Sequence, residues 1–448
     1  MREYAKRYAG RLLLRDEIEL PDYQLQALIK RGYFKLKPAL IKRYFTHQCQ
    51  RCGNKARHLF GVISCSNCQT AHLYCRKCIQ MGRVMSCSPL YYWVGPDPDW
   101  SATDKRFAWK GELTKTQSQA SDRVCHAIAN GVNELLIHAV CGSGKTEIVF
   151  AGVAQVLNMN KRVCLATPRA DVVRELLPRF QSAFPTTSIV GLYGGSGANQ
   201  KTAQLTLSTT HQLLRYDNAF DLMIIDEMDA FPYHADPSLP YATKKAIKPG
   251  ATTLYLTATP RQDMINQSKT PTVFVPERYH QFPLPVPKSV LLLKCPDVTW
   301  PKVFWKWYEQ RPIKRQVLVF IATINRTQCL LPLIQSRYPQ ARIEAVHAKD
   351  PERITKVDLF RAKQLDVLLT TTILERGVTF PAIDVVVLDA GHPVFDQAAL
   401  VQIAGRAGRS KVDPTGEVLF FHDGQTIAIR EAIRSIKKMN KKAKIGKE

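Results

Sequence analysis

Nowhere in this 448-residue chain does an apolar run approach the roughly 20 residues that a helix needs to span a bilayer. The opening MREYAKRYAGRLLLRDEIEL holds only a short leucine run before charge returns, too little for the core of a secretion signal. A membrane-spanning or secreted chain is therefore not expected; a soluble, cytoplasmic one is. Acidic residues are also in short supply, with 38 Asp and Glu against 63 Lys and Arg, a net charge of +25. So large a surplus points to a polyanionic partner, nucleic acid first and an acidic membrane surface second. No internal repeat is evident. Cysteine, by contrast, is plentiful, and seven of the twelve lie between residues 49 and 87. In a reducing compartment such clustering points to metal rather than disulfides. Cys125, Cys141, Cys164, Cys295 and Cys329 are scattered singly, mostly in apolar runs, and read as buried small hydrophobes.

A hydrophobic content of 45% over this length supplies cores for two or three domains. From about residue 113, short β-branched runs alternate with helical stretches: ELLIHAV, RVCLATP, QLTLSTT, FDLMIIDE and TTLYLTATP. That rhythm implies parallel strands with crossover helices. It breaks at the Pro-rich VPERYHQFPLPVPKSV and resumes with RQVLVFIAT, RIEAVHA, LDVLLTTT, IDVVVLDAG and GEVLFFHD. The expected organisation is an N-terminal region over 1–110 with a cysteine module at about 47–88. An α/β domain follows over 111–275, then a linker over 276–311. A second α/β domain covers 312–448 and ends in a basic tail.

ELLIHAVCGSGKTEIVF reads as strand, glycine-rich turn and helix. Gly142, Ser143 and Gly144 let successive backbone N–H groups face phosphate oxygens at a helix N-terminus. Lys145 supplies charge toward the β- and γ-phosphates, and the Thr146 hydroxyl suits Mg²⁺; the pattern's first glycine is replaced by Ala139. FDLMIIDEMDA places Asp226 and Glu227 at the C-terminal end of an apolar strand, the edge where open α/β sheets bind ligands. Asp226 suits Mg²⁺, and Glu227 suits orienting and deprotonating an attacking water. In VQIAGRAGRS, Arg406 and Arg409 lie at helical spacing behind Gln402, placed to act as arginine fingers from the second domain.

The ordered series LTKTQ, AVCGSGKT, ATPR, STTHQ, DEMD, TATP, TTTILERGVTFP and QIAGRAGR resembles the superfamily 2 helicase and translocase motor, over about residues 113 to 425. DEMD in place of DEAD, TAT in place of SAT, and QIAGRAGR depart from the DEAD-box RNA subgroup. They favour DNA-tracking relatives such as PriA. With the cysteine cluster ending in YCRKCIQMGRV ahead of the motor, the chain resembles the ComFA family of late-competence ATPases. The resemblance implies two RecA-like parallel-sheet domains in tandem behind a small zinc-binding module, with ATP, Mg²⁺ and Zn²⁺ as cofactors. It implies a single-stranded-DNA-dependent ATPase and translocase that drives uptake of transforming DNA, with no small-molecule substrate beyond ATP. Partners would be single-stranded DNA, ComFC-like and DprA-like competence proteins, and the cytoplasmic side of the uptake channel, at the inner face of the membrane. Gln117 would read adenine; Gly377 and Gln402 would touch the nucleotide. Thr167, Pro168, Arg169, Thr209 and Thr210 would sit on the DNA backbone. Thr371 and Thr372 with Glu375 would couple that contact to the nucleotide, and Thr257 and Thr259 would link hydrolysis to domain motion. A nucleotide-gated DNA-binding scaffold and a PriA-like restart helicase are the competing readings; the second lacks its large N-terminal fork domain here.

Three metal assignments compete. Spacing alone joins Cys49 and Cys52 to Cys65 and Cys68 in a compact zinc ribbon. The family resemblance joins Cys49 and Cys52 to Cys75 and Cys78. Alternatively, all six serve two metals with help from His47, His58, His72 or Cys87. One four-sulfur zinc with the resemblance pairing is favoured, structural rather than catalytic because four thiolates leave no open position. Lys55, Arg57, Arg76, Lys77 and Arg83 beside the knuckles, with Tyr91, Tyr92, Trp93, Trp100 and Trp109 after them, suit single strands or pack the module onto the motor.

Overall fold

The computed structural model describes residues 1–100, 107–197, 202–260, 270–311 and 315–445. Its N-terminal region is built of short antiparallel strands: β1 (Leu12–Leu13), β2 (Phe34–Lys37), β3 (Leu40–Arg43), β4 (Thr46–Cys49), β5 (Phe60–Ser64), β6 (Ala71–Cys75), β7 (Val84–Met85) and β8 (Leu90–Trp93). They pair as β1-β8-β2, a β3-β4 hairpin, and β5-β6-β7. Aromatic contacts fill the first sheet, with Tyr8 and Trp93 each edge-on to Phe34 at 5.3 Å. The second and third are held by the cysteines.

The first α/β domain has seven strands: β9 (Glu134–Ala139), β10 (Val163–Thr167), β11 (Ile189–Leu192), β12 (Leu205–Thr209), β13 (Phe220–Asp226), β14 (Ile247–Thr257) and β15 (Thr272–Val275). All are parallel, in the order β11-β12-β10-β13-β14-β9-β15. Every residue of β10 and β12 is buried, as befits strands covered on both faces. The second domain repeats the plan with β16 (Lys288–Leu291), β17 (Gln316–Ile321), β18 (Ile343–Val346), β19 (Val367–Thr370), β20 (Ile383–Leu388) and β21 (Val418–His422). Their order is β16-β21-β20-β17-β19-β18, again parallel.

The expected linker differs from what forms. β16 lies inside it, as does the helix Lys302–Gln310, whose Phe304 is fully buried in the second core. The prolines before β16 mask a strand that is only an edge, where such residues are tolerated. The expected basic tail is a helix, Ile427–Ile445, that buries Ile429, Ala432, Ile436 and Met439 at helical spacing. The last three residues of that tail lie outside the described ones. Of the five scattered cysteines, Cys141, Cys164 and Cys295 are buried; Cys125 is half-buried and Cys329 exposed. Both exceptions are on helices, where an apolar neighbourhood in sequence does not fix which face a residue takes. No helix among the described residues is long and apolar enough to cross a membrane.

Candidate nucleotide cleft and cysteine centre

The turn after β9 carries Gly142 at φ +78° and Gly144 at φ +73°, a backbone that side-chain-bearing residues rarely adopt. Gly144 caps the helix Lys145–Asn158, so its first N–H groups open onto the cleft. A Cβ on Gly144 would lie 2.4 Å from the Gln117 amide nitrogen, so glycine is also required by the approach of Gln117. That side chain is fixed at both ends. Its oxygen accepts from Thr114 N at 2.8 Å, and its NH₂ donates to the Ser143 carbonyl at 2.8 Å.

Gln117, Gly142, Ser143, Gly144, Lys145, Thr146, Asp226, Glu227, Gly377, Gln402 and Arg409 all line one cleft of about 580 Å³ between the two α/β domains. Asp226 is buried at the end of β13, and burial raises its carboxyl to about 6 against the pull of Lys145. Glu227 follows at φ +55°, its N–H donating to Asp226 Oδ1 at 2.9 Å and its Oε2 buried without a hydrogen bond. A non-glycine residue held in that region is strained, and the strain aims the carboxylate into the cleft.

The two arginines part company. The helix Gln397–Ala404 ends before them, with Gly405 as its C-cap and Gly408 turning the chain at φ +61°; they do not share a helical face as expected. Arg409 lines the cleft, with Nε on the Gly405 carbonyl at 3.1 Å. Arg406 is 1% exposed and does not line it; its Nε donates to the Glu375 carbonyl at 3.0 Å and its Nη1 is buried without a partner. Burial, then Arg409, lowers its guanidinium to about 9.

Across the domain boundary the Cys141 thiol donates to Gln402 Oε1 at 3.0 Å. Arg376, which the motif reading passed over, is 3% exposed and donates to Asp229 Oδ2 at 2.7 Å, with Glu227 Oε2 4.0 Å away. The Thr257 and Thr259 hydroxyls each donate to Asp229 at 2.6 Å. Burial opposes ionisation of Asp229, but Arg376 and these hydroxyls overcome it and hold the carboxyl at about 2. The available signal for Arg376 was its place between Glu375 and Gly377 after an apolar strand.

The expected DNA-contact residues gather at strand ends, Thr167 and Thr209 being direct neighbours in the sheet. Yet Thr167 and Thr210 are 0% exposed, each with a hydroxyl lacking a partner, and Pro168 and Thr209 are buried too. Arg169 turns inward to Glu375 and to the carbonyls of Thr372 and Ile373. Thr371 and Thr372 are half-buried at the turn after β19.

Cys49, Cys52, Cys75 and Cys78 converge, with sulfurs 3.7 Å apart for Cys49 and Cys78 and 3.6 Å for Cys52 and Cys75. A tetrahedron with Zn–S near 2.3 Å has edges of about 3.8 Å, so four buried thiols at this spacing fit zinc. Cys65 and Cys68 lie elsewhere, and the ribbon pairing read from spacing does not form. Among the nearby basic and aromatic residues, Lys77 pairs with Asp236 at 2.5 Å and Arg83 lies over the Tyr74 ring. Trp93 stacks on Tyr33 at 5.8 Å and Trp109 packs edge-on to Phe150 at 5.8 Å. These side chains serve packing.

Residues 1–92 match the model of the competence protein ComFA N-terminal domain, 110–262 the type III restriction enzyme res subunit, and 302–411 the helicase conserved C-terminal domain. The chain is 40% identical to competence protein ComFA of Bacillus subtilis, covering 99% of this chain and 96% of that one. It is 36% identical to competence protein ComFA of Streptococcus pneumoniae, covering 97% and 98%. Among solved structures, S. cerevisiae Dbp5 bound to RNA and ADP BeF3 matches with a TM-score of 0.56 at 18% identity, over 75% of this chain and 93% of that one.

Proposed function

The chain belongs to the ComFA family of competence proteins, with a superfamily 2 helicase-like motor, and from that premise we propose that it is a single-stranded-DNA-dependent ATPase and translocase. Its work is to draw transforming DNA into the cytoplasm. The observation that carries this is a single cleft lined from both domains, by Lys145, Thr146, Asp226 and Glu227 on one side and Gly377, Gln402 and Arg409 on the other. A nucleotide seated there is held by both domains at once, so its hydrolysis loosens the link between them.

Lys145 and the turn amides bind phosphates, Thr146 and Asp226 hold Mg²⁺, which neutralises phosphate charge, and Glu227 takes the proton of the attacking water. Arg409 meets charge developing on the transferred phosphoryl group from the opposite domain. Arg406 acts from behind the cleft, through its bond to the Glu375 carbonyl. The half-buried strand-end residues Thr371 and Thr372 grip the DNA backbone through small hydroxyls and amides that do not read bases. Zinc on Cys49, Cys52, Cys75 and Cys78 holds the N-terminal module together.

Steady-state ATPase with single-stranded DNA, duplex DNA, RNA or no nucleic acid tests the proposal. Turnover should be low alone and rise most with single-stranded DNA. Turnover indifferent to single-stranded DNA sinks the motor reading. Stimulated turnover without movement along DNA, followed by displacement of a reporter, sinks translocation alone.

A further inference from the structure

The cysteines that the four-sulfur centre leaves over are not scattered. Cys65, Cys68 and Cys87 bring their sulfurs within 4.8 Å of one another, at the far end of the β5-β6 hairpin from Cys75. The turn that carries the first two repeats the knuckle of the first centre, bond for bond. At Cys49, the cysteine N–H donates to the Asn54 carbonyl at 3.0 Å, and Gly53 N–H donates back to the Cys49 carbonyl at 2.8 Å. At Cys65, the N–H donates to the Thr70 carbonyl at 2.9 Å, and Gln69 N–H donates back to the Cys65 carbonyl at 2.9 Å. The residue after the second cysteine is left-handed in both, Gly53 at φ +73° and Gln69 at φ +53°. In the second turn a glutamine holds the left-handed position that glycine holds in the first.

A nitrogen donor stands beside one of the sulfurs. His72 Nε2 is 3.0 Å from Cys68 Sγ and 2.8 Å from the Thr70 hydroxyl, while its Nδ1 faces Ser86 Oγ at 3.2 Å, the kind of outer contact that fixes ring orientation in ligating histidines. Ser86 N–H pairs with the Leu73 carbonyl at 2.9 Å, which extends the β6-β7 ladder and delivers Cys87 alongside. Three thiols cannot all close as disulfides, and all three are free.

We propose that Cys65, Cys68 and Cys87, with His72 as the fourth ligand, form a second, structural zinc site. Binding exchanges the thiol protons for the metal, and four protein ligands leave no position open for catalysis. Along the chain the two ligand sets interleave: Cys49 and Cys52, then Cys65, Cys68 and His72, then Cys75 and Cys78, then Cys87. One ion closes the buried end of the β5-β6 hairpin against the motor, and the other closes its solvent end against the strand that returns. This proposal does not depend on the motor reading.

Metal analysis of the purified full chain should find about two zinc ions per molecule. Cys68→Ser and Cys87→Ser should each leave about one, and the double variant no fewer, with DNA-stimulated ATPase retained. About one zinc in the wild type, unchanged in both variants, overturns the site. Replacing zinc with Co²⁺ tests the fourth ligand, because exchanging nitrogen for water shifts the visible ligand-field bands. Those bands should move in His72→Ala and stay in His58→Ala. Bands that ignore His72→Ala overturn its assignment.

Discussion

Glu227 combines a strained backbone, a buried carboxylate oxygen that accepts no hydrogen bond and a place in the cleft. A carboxylate that only capped a strand would not need to be held this way. Glu227→Gln should lower DNA-stimulated turnover about 100-fold or more while nucleotide still binds, read by phosphate release and by titration of a fluorescent ATP analogue. Lys145→Ala should lose binding as well; equal loss of binding in both variants would make Glu227 a structural residue. His138, on β9 just before the turn, raises a different question. Burial lowers its imidazole to about 4 from an ordinary 6.5, and the ring stands edge-on to Phe274 at 4.8 Å. Above about pH 6.5 it is neutral folded or unfolded and contributes no pH dependence. As pH falls from there toward 4, the unfolded chain takes a proton that the native site refuses, so stability declines across that window. His138→Leu should flatten the Tm-against-pH curve between those limits. An unchanged slope would assign the acid sensitivity to other groups. Neither residue's behaviour is visible in the letters around it: Asp-Glu after an apolar strand identifies the pair, but not the positive φ, and nothing in ELLIHAV marks its histidine as having a buried Nε2 without a hydrogen bond.

At the level of elements, the strands and helices around the cleft followed from alternation and punctuation, because parallel strands covered on both faces leave long apolar runs in the sequence. Edge strands have no such run, which is why β16 hid in a Pro-rich stretch. Interactions between elements were less legible still. Arg376 and Asp229 are separated by 147 positions, yet they meet at 2.7 Å where the turn after β19 faces the turn after β13. With Thr257 and Thr259 on the same carboxylate, three elements from two domains share one latch. Removing one partner of a buried ion pair costs about 3–5 kcal/mol, so Arg376→Ala should open the interface rather than merely weaken it. DNA-stimulated turnover should be lost with nucleotide affinity changed only a few-fold. Arg376→Lys should not rescue it, because a single ammonium cannot reach Asp229, Glu227 and Glu375 together. Rescue by lysine would reduce the latch to simple charge. The cysteine centre is an element of the same kind. Its buried sulfurs pack in one core with Leu239 and Ala242 of the first α/β domain, and a Cβ on Gly53 would lie 2.6 Å from the Tyr241 ring. Cys75→Ser should therefore release one zinc and expose the module to limited proteolysis near residues 47–88, where an untouched digestion pattern would show that the metal is not what holds it.

For the whole molecule, the charge of +25 names a polyanion without saying where it lies. The fold narrows the place by subtraction. Arg169 and Arg376 are committed to closing the two domains on each other, Arg406 to the Glu375 carbonyl within the second domain, and Lys77 to holding the cysteine module on the motor. None of these assignments could be read from composition, since each depends on a partner at least 31 residues away in sequence. The DNA contact proposed above would then fall to the surface lysine and arginine population together with the strand-end turn around Thr371 and Thr372. Binding built that way is mostly counterion release. The logarithm of affinity for a single strand should fall linearly with the logarithm of salt concentration, with a slope of about −0.7 for each phosphate neutralised. Because the same arginines close the cleft, the slope should also depend on the nucleotide. A chain locked by a non-hydrolysable ATP analogue should keep Arg169 on Glu375, whereas opening of the nucleotide-free chain would free its guanidinium for phosphate. The nucleotide-free protein should therefore show the steeper slope, and Arg169→Ala should remove the difference while sparing the remainder. Fluorescence anisotropy of a labelled oligonucleotide across a salt series measures both. Identical slopes in the two states would place Arg169 permanently inside the interface and leave the coupling of grip to nucleotide with Thr371 and Thr372.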